Sequence, residues 1–368
     1  MTGARGRRRN ASWAEWNEVM PLVHASYHGY GSADLHTSLR IWYESAFGVF
    51  CPVSFGSLRA AMRTCAIVNP VAGGGRARRV WPRLLSRLLE VTTSLSVHWT
   101  MGPGTATALT RDALKGGMER IVAVGGDGTL HEVVNGFFEN RTPVAPSAVL
   151  AFVPCGSGSD FRRTLGAPTG VEAVRQLKSD RIQPLDVLRV RYTTERGRPA
   201  HRYAVNVASA GVSGTVVRHF SPSILPIPPR LRYLGATLRA LATDRPVPVR
   251  LTLDDASLPP TRVRLVAVAN GRTFAAGLPI APTATPHDGV FDVTVLHDVP
   301  VPTLLRHAHR FYLGTHPSLD GVSTHRGRQL TIEPLDDRRP VWVEADGEAL
   351  GTLPMTVELV PRALRVQS

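Results

Sequence analysis

The chain has 368 residues, three cysteines and a formal net charge of +14. That length fits about two domains of roughly 150 residues each, and with 43% hydrophobic and 20% charged residues the chain can bury real cores. No run is apolar and long enough to span a bilayer: the two long stretches without Asp, Glu, Lys or Arg, 91–110 and 142–159, are rich in Thr and Ser or broken by Pro103, Pro143, Pro146 and Pro154. The basic start (Arg5, Arg7, Arg8, Arg9) is followed by Trp13, Glu15 and Trp16, where a secretory signal needs an apolar core. A cytoplasmic protein is therefore expected. Cys51, Cys65 and Cys155 have no ligand or disulfide spacing and read as small buried residues in a reducing compartment. The positive charge either reflects an Arg-rich composition or attracts anions: nucleotide, nucleic acid or an anionic membrane surface. No zinc-finger or helix-turn-helix signature is present, so no nucleic acid partner is expected.

Residues 1–61 carry no motif. Met62 stands just ahead of the first clean strand, and translation is expected to begin there. Thr64–Val68 reads as a strand and NPVAGGG, 69–75, as a glycine turn at its end. A helix follows with Val80, Trp81, Leu84, Leu85, Leu88 and Leu89 on one face and Pro82 in its first turn. Leu95–Thr100 is a strand and Thr105–Leu114 a helix. Ile121–Val124 is a buried strand, after which Gly125, Gly126 and Gly128 allow a tight turn and close approach of a ligand. Leu130, Val133, Val134, Phe137 and Phe138 then fall at helical spacing. Val149–Val153 leads into a third glycine turn, PCGSGSD at 154–160, with helices over Asp160–Leu165 and Val171–Leu177.

Alternating strands and helices predict a parallel, helix-covered sheet, and the three glycine turns converge at the carboxyl ends of its strands, where such sheets bind ligands. A strand, a glycine turn and a helix N-terminus make an anion site. Asp127 inside that turn would repel a bare phosphate, so the natural ligand is a nucleotide with Mg²⁺. Neither a GxxxxGK[ST] loop nor a VAIK lysine is present.

After Gln183 strand-like runs dominate: Val187–Tyr192, Tyr203–Ala208, Val249–Leu253, Val263–Ala269, Phe291–Leu296, Leu330–Ile332, Val341–Glu344 and Met355–Leu359. They predict a mostly antiparallel β-sandwich, hinged near Asp180–Pro184, with the last strands returning toward the first domain. The expected organisation is an extension over 1–61, an α/β nucleotide-binding domain over 62–182 and a β-rich domain over 183–368. A helix over Arg230–Thr243, with Leu231, Leu234, Leu238 and Leu241 on one side and Arg230, Arg232 and Arg239 flanking, is either core-packed or a basic element at a membrane surface. Two acidic turns stand out, PHDGVFDV at 286–293 and EADGE at 344–348. Asp-Gly is first a hairpin dipeptide. Crowding of Glu344, Asp346 and Glu348, however, raises one pKa unless a cation sits nearby, and a general base or metal ligand is the natural use.

Six motifs in this order, NPVAGGG at 69–75, GGDGTLHEVVNG at 125–136, PCGSGSDFRRTL at 154–165, NVASAG from Asn206, IAPTATPHDGVFDV at 280–293 and ADGE at 345–348, resemble the diacylglycerol kinase catalytic-domain family, which includes bacterial lipid kinases and sphingosine kinases. GGDGT alone is shared with NAD kinases and phosphofructokinases. The resemblance implies an α/β nucleotide domain plus a β-sandwich domain, with ATP and lipid meeting in the cleft. It implies an ATP site lined by Asn69, Pro70, Val71, Ala72, Gly73, Thr100, Gly126, Asp127, Gly128, Thr129, Leu130, His131, Glu132 and Ser157. Asp288 would hold Mg²⁺ with the backbone of Thr285 and Val290. Glu348 would accept the proton of the lipid hydroxyl with Asp346 beside it, and either could be the base. The implied activity is phosphorylation of a diacylglycerol-like or sphingoid-like alcohol by a peripherally membrane-associated enzyme, with a homodimer as one arrangement. Two departures are visible: Ser159 stands where an Asn is usual, and the glycine cluster before IAP is reduced to Ala275, Ala276 and Gly277. Rival readings are NAD kinase-like phosphorylation of a soluble dinucleotide and a non-catalytic lipid- or nucleotide-binding regulator. A dehydrogenase has no role for the ADGE loop.

Overall fold

The computed structural model describes residues 62–156, 160–179, 181–219, 229–336 and 338–367. The expectations for residues 1–61, Cys51, Ser157 and Ser159 lie outside the described residues. The first part runs β1 (Arg63–Val68), α1 (Ala72–Val91), β2 (Ser94–Trp99), α2 (Thr105–Lys115), β3 (Arg120–Gly125), α3 (Asp127–Gly136), a short hairpin of β4 (Phe138–Glu139) and β5 (Thr142–Pro143), β6 (Val149–Pro154), α4 (Asp160–Leu165) and α5 (Val171–Gln176). Strands β6, β3, β1 and β2 lie side by side and parallel.

Alternation of side chains along each strand decides which helices cover which face. Ala66, Val68, Val122, Val124, Ala151 and Val153 point to one side, where Ala77, Trp81, Leu84 and Leu88 of α1 and Val174 of α5 pack. Cys65, Ile67, Ile121, Ala123, Leu150 and Phe152 point to the other, against Leu114 of α2 and Leu130, Val133 and Val134 of α3. Both faces are buried, which is why these strands read as unbroken apolar runs.

The second part contains β7 (Ile182–Thr193), β8 (Pro199–Ala204), β9 (Val207–Gly211), α6 (Val212–His219), α7 (Pro229–Thr243), β10 (Val247–Leu253), β11 (Ala256–Ser257), β12 (Thr261–Ala269), β13 (Phe291–His297), α8 (Val301–Arg306), α9 (Ala308–Tyr312), β14 (Val322–Gly327), β15 (Gln329–Pro334), β16 (Trp342–Ala345) and β17 (Glu348–Gln367). Its pairings are antiparallel and enclose a core that includes Leu188, Val190, Val266, Val268, Phe291, Ile332, Met355 and Val357. The long β17 belongs to both parts: Met355–Glu358 pairs with β15, and Arg365–Gln367 runs parallel to β6. The expected fold class, an α/β sheet followed by a β-sandwich, is the observed one.

Two local expectations are corrected. Pro82 lies inside α1 and not in its first turn, because burial of Ala77 and Trp81 extends the helix back to the glycines. Tyr203–Ala208 is not one strand but the end of β8 and the start of β9, since the N–H groups of Val205, Asn206 and Val207 turn aside to a carboxylate. Of the two alternatives for the helix over Arg230–Thr243, core-packed or a basic surface element, Leu238 of α7 does not show the packed one, being 43% exposed.

Candidate active site

The three glycine turns meet at the carboxyl edge of β1, β3 and β6. The Asn69 side chain organises the first: Oδ1 accepts the Val71 N–H (3.1 Å) and Nδ2 donates to Thr129 Oγ1 (3.0 Å). Gly73 has φ +62°, and a Cβ there would lie 2.4 Å from the Cys155 carbonyl, so only glycine allows the first and third turns to touch. Gly74 and Gly75 face open space, leaving a backbone cradle with room for phosphate oxygens. The second and third turns are locked as well, with the Cys155 N–H donating to the Gly125 carbonyl (2.7 Å). Asp127 opens α3, where a carboxylate is favoured by the helix dipole, and accepts the Asp160 N–H (3.2 Å). Asp160 in turn accepts the Ala276 N–H (2.8 Å), and burial raises its pKa against the pull of that bond and of Arg163.

Helix α3 also binds the second lobe. His131 Nδ1 lies 3.3 Å from Asp346 Oδ2, with both side chains at most 5% exposed. Asn135 bonds both the N–H (2.9 Å) and the carbonyl (2.8 Å) of Tyr203. Asp346 sits in the β16–β17 turn with φ +51°, followed by Gly347 at +85°, the paired positive angles that Asp-Gly hairpins use. Its carboxylate accepts N–H bonds from Val205 (3.0 Å), Asn206 (3.0 Å) and Val207 (3.2 Å) in addition to facing His131. Glu348, two residues on, is different. It is exposed to solvent, and its Oε1 lies 2.7 Å from where a Gly128 Cβ would be. The turn bearing Asp127 and the loop bearing Glu348 therefore line one crevice. The protein walls around Glu348 displace enough water to raise its pKa; His131 opposes this, while Glu132 and Asp346 add to it. Glu344 is buried, accepts the Ser209 hydroxyl and the Gly347 N–H (2.9 Å), and is pushed up to about 7, chiefly by burial.

Several residues expected at the nucleotide site also have structural contacts. Leu130 is 2% exposed and its side chain belongs to the core. The Glu132 carboxylate accepts the N–H groups of Gly104 (2.8 Å) and Ala106 (3.0 Å), satisfying donors at the start of α2. Thr100 is buried, its N–H bonded to the Val68 carbonyl (2.9 Å). Pro70, Val71 and Ala72 form the first turn, with Val71 64% exposed.

The residues expected to hold a metal make contacts of their own within the fold. Asp288 is ion-paired with Arg326, which also lies 3.7 Å from Asp292. The Thr285 carbonyl accepts the His287 N–H (2.9 Å), and the Val290 N–H points at Asp288 (3.3 Å). Among the described residues no three His, Cys, Asp or Glu side chains are grouped to hold an ion. In the structure the Arg326 guanidinium supplies the positive charge beside Asp288 and Asp292.

Sequence reasoning missed the clamp at Asp186. This fully buried carboxylate accepts the N–H groups of Gly289 (2.8 Å) and Arg362 (2.7 Å), tying the 286–290 turn and β17 to β7. Its one signal was a charge inside an apolar run, LDVLRV. Asn135 gave no signal, because its partner lies 68 residues away.

Residues 63–190 match the diacylglycerol kinase catalytic domain, and residues 206–368 match the YegS C-terminal NAD kinase beta sandwich-like domain. A protein named diacylglycerol kinase from Mycobacterium tuberculosis is 28% identical over 83% of this chain and 94% of its own length. YtlR of Bacillus subtilis is 26% identical over 82% of this chain and 98% of its own. A solved structure described as a diacylglycerol kinase from Bacillus anthracis superposes with a TM-score of 0.61 at 21% identity, covering 84% of this chain and 98% of that one, a likeness of fold. Residues 63–190 thus belong to the diacylglycerol kinase catalytic-domain family, followed in tandem over 206–368 by the YegS C-terminal NAD kinase beta sandwich-like domain.

Proposed function

We propose that this protein transfers the γ-phosphoryl group of ATP to the hydroxyl of a lipid of the diacylglycerol or sphingoid type, with Glu348 as the base. One observation carries the assignment: of the two acids in the ADGE turn, Asp346 is occupied by three backbone N–H groups, while Glu348 is open and lies against Gly128. In this reading the glycine turns hold the phosphates through backbone N–H groups. Glu348 takes the hydroxyl proton, the freed oxygen bonds to the γ-phosphorus, and the bond to the β–γ bridging oxygen breaks, releasing ADP. Donors fixed in advance around the phosphates offset the developing charge without reorganisation. Mg²⁺ accompanying the nucleotide would neutralise charge on its phosphates.

A raised Glu348 pKa suits a base working near neutral pH, since a proton acceptor is most effective when its pKa approaches the ambient pH. The test is labelled ATP with a panel of lipid alcohols in vesicles, for wild type and Glu348→Gln. Lipid-dependent transfer that disappears in the variant supports the reading. Transfer to a soluble dinucleotide without vesicles, or full transfer in the variant, contradicts it.

A further inference from the structure

Helices α8 and α9 were not anticipated from the sequence, and their side chains divide in two. Leu304 is buried with Ile280, Leu296 and Val299, and Phe311 stacks on the buried His316 (ring centroids 4.8 Å apart). Their neighbours point the other way: Leu305 is 50% exposed, Tyr312 65% and Leu313 71%. Among the described residues these are three of the seven large apolar side chains with such exposure. Concentrating them within nine residues makes a patch, whereas scattered single exposures need no explanation. Arg306, His309 and Arg310 are interleaved with them, and no Asp or Glu occurs between Asp298 and Asp320.

The patch is connected to the crevice. His316 Nε2 lies 3.1 Å from the Ile280 carbonyl, and a Cβ on Gly314 would lie 3.1 Å from Pro282. A few residues earlier, the same segment gives its Ala276 N–H to Asp160, whose own N–H is bonded to Asp127. The surface carrying the exposed side chains is thus the outer side of the segment that borders the nucleotide turns.

We propose that Leu305, Tyr312 and Leu313, with Arg306 and Arg310, dock the protein on an anionic lipid bilayer; this rests on the lipid-kinase reading and names the surface it uses. The chemistry matches that occupant. Short apolar side chains on a basic surface enter the headgroup boundary while cations meet anionic lipid, and a tyrosine sits at that boundary with its ring in the apolar layer and its hydroxyl in water. Among the described residues no helix is long and apolar enough to cross a membrane, so a surface contact of this kind would bring the crevice to a membrane-resident substrate.

The test is flotation of the full chain with vesicles of phosphatidylcholine alone or mixed with phosphatidylglycerol, for wild type, the double variant Leu305→Ser/Leu313→Ser, and Arg306→Glu. Wild type binds the mixed vesicles and loses binding at high salt. The double variant binds about tenfold more weakly, and Arg306→Glu about fivefold. All three retain equal ATP binding, equal melting temperature and equal turnover of a short-chain substrate dispersed in detergent. Unchanged vesicle binding in both variants, or no wild-type binding at all, overturns the docking surface. A change in oligomeric state with unchanged vesicle binding also overturns it, in favour of self-association. Loss of short-chain turnover in wild type itself would instead indict the kinase reading, so the two failures are distinguishable.

Discussion

Asp288–Gly289 and Asp346–Gly347 are the same dipeptide in the same lobe, each with its glycine at positive φ, +79° and +85°. Around Asp346 everything is buried: three strand-end N–H groups and a histidine from the other lobe converge on one carboxylate. Asp288 lies at the surface and is paired with Arg326, whose side chain is 55% exposed. The dipeptide is common to both, but only at 346–347 does the aspartate also take a positive φ, and the surroundings differ as well. At 346 the aspartate joins the lobes and leaves the next acid, Glu348, facing the crevice. At 288 the charge is met by a flexible cation, while the neighbouring Gly289 N–H is held by Asp186.

Substitutions sharpen this contrast. Glu348→Gln keeps the shape of the crevice and removes the proton acceptor, so turnover should fall about 1,000-fold with ATP affinity nearly unchanged, measured by single-turnover transfer and calorimetry. Asp346→Ala leaves three buried N–H groups without their acceptor and should cost about 3 kcal/mol of stability in denaturant unfolding. Glu344→Gln addresses pH. The Glu344 carboxyl titrates near 7 in the fold against an ordinary value of 4.5, so the folded state holds more protons between those values. Stability is therefore full below about 4.5 and declines as pH rises toward 7. The Gln variant should flatten that slope, removing about 3 kcal/mol of pH-dependent change at most. Asp288→Asn should be the mildest, under about 1 kcal/mol, because the ion pair it breaks is exposed; retained activity in that variant would separate the two turns cleanly.

Much of this was legible in the sequence because it is local. The apolar runs at 64–68, 121–124 and 149–153, each followed by a glycine turn, identify a parallel sheet and the edge at which such sheets bind ligands. The acids of the ADGE turn were legible as chemistry, but not their division of labour. Asp346 and Glu348 differ only through partners at 128, 131 and 205–207, and no spacing rule reaches that far. The break between β8 and β9 was invisible for the same reason: nothing in Tyr203–Ala208 shows that its N–H groups leave the ladder for Asp346. At Asp288 the motif was readable, while the pairing with Arg326, 38 residues away, was not.

Gly128→Ala tests most directly whether the two lobes meet as described. The added methyl carbon would come within 2.7 Å of Glu348 Oε1, closer than van der Waals contact allows. Because that oxygen ends a flexible side chain, the account predicts an unchanged melting temperature and ATP affinity, with phosphoryl transfer reduced at least tenfold as the carboxylate is displaced. Wild-type transfer in Gly128→Ala would mean that Glu348 does not act from this position, contradicting the account.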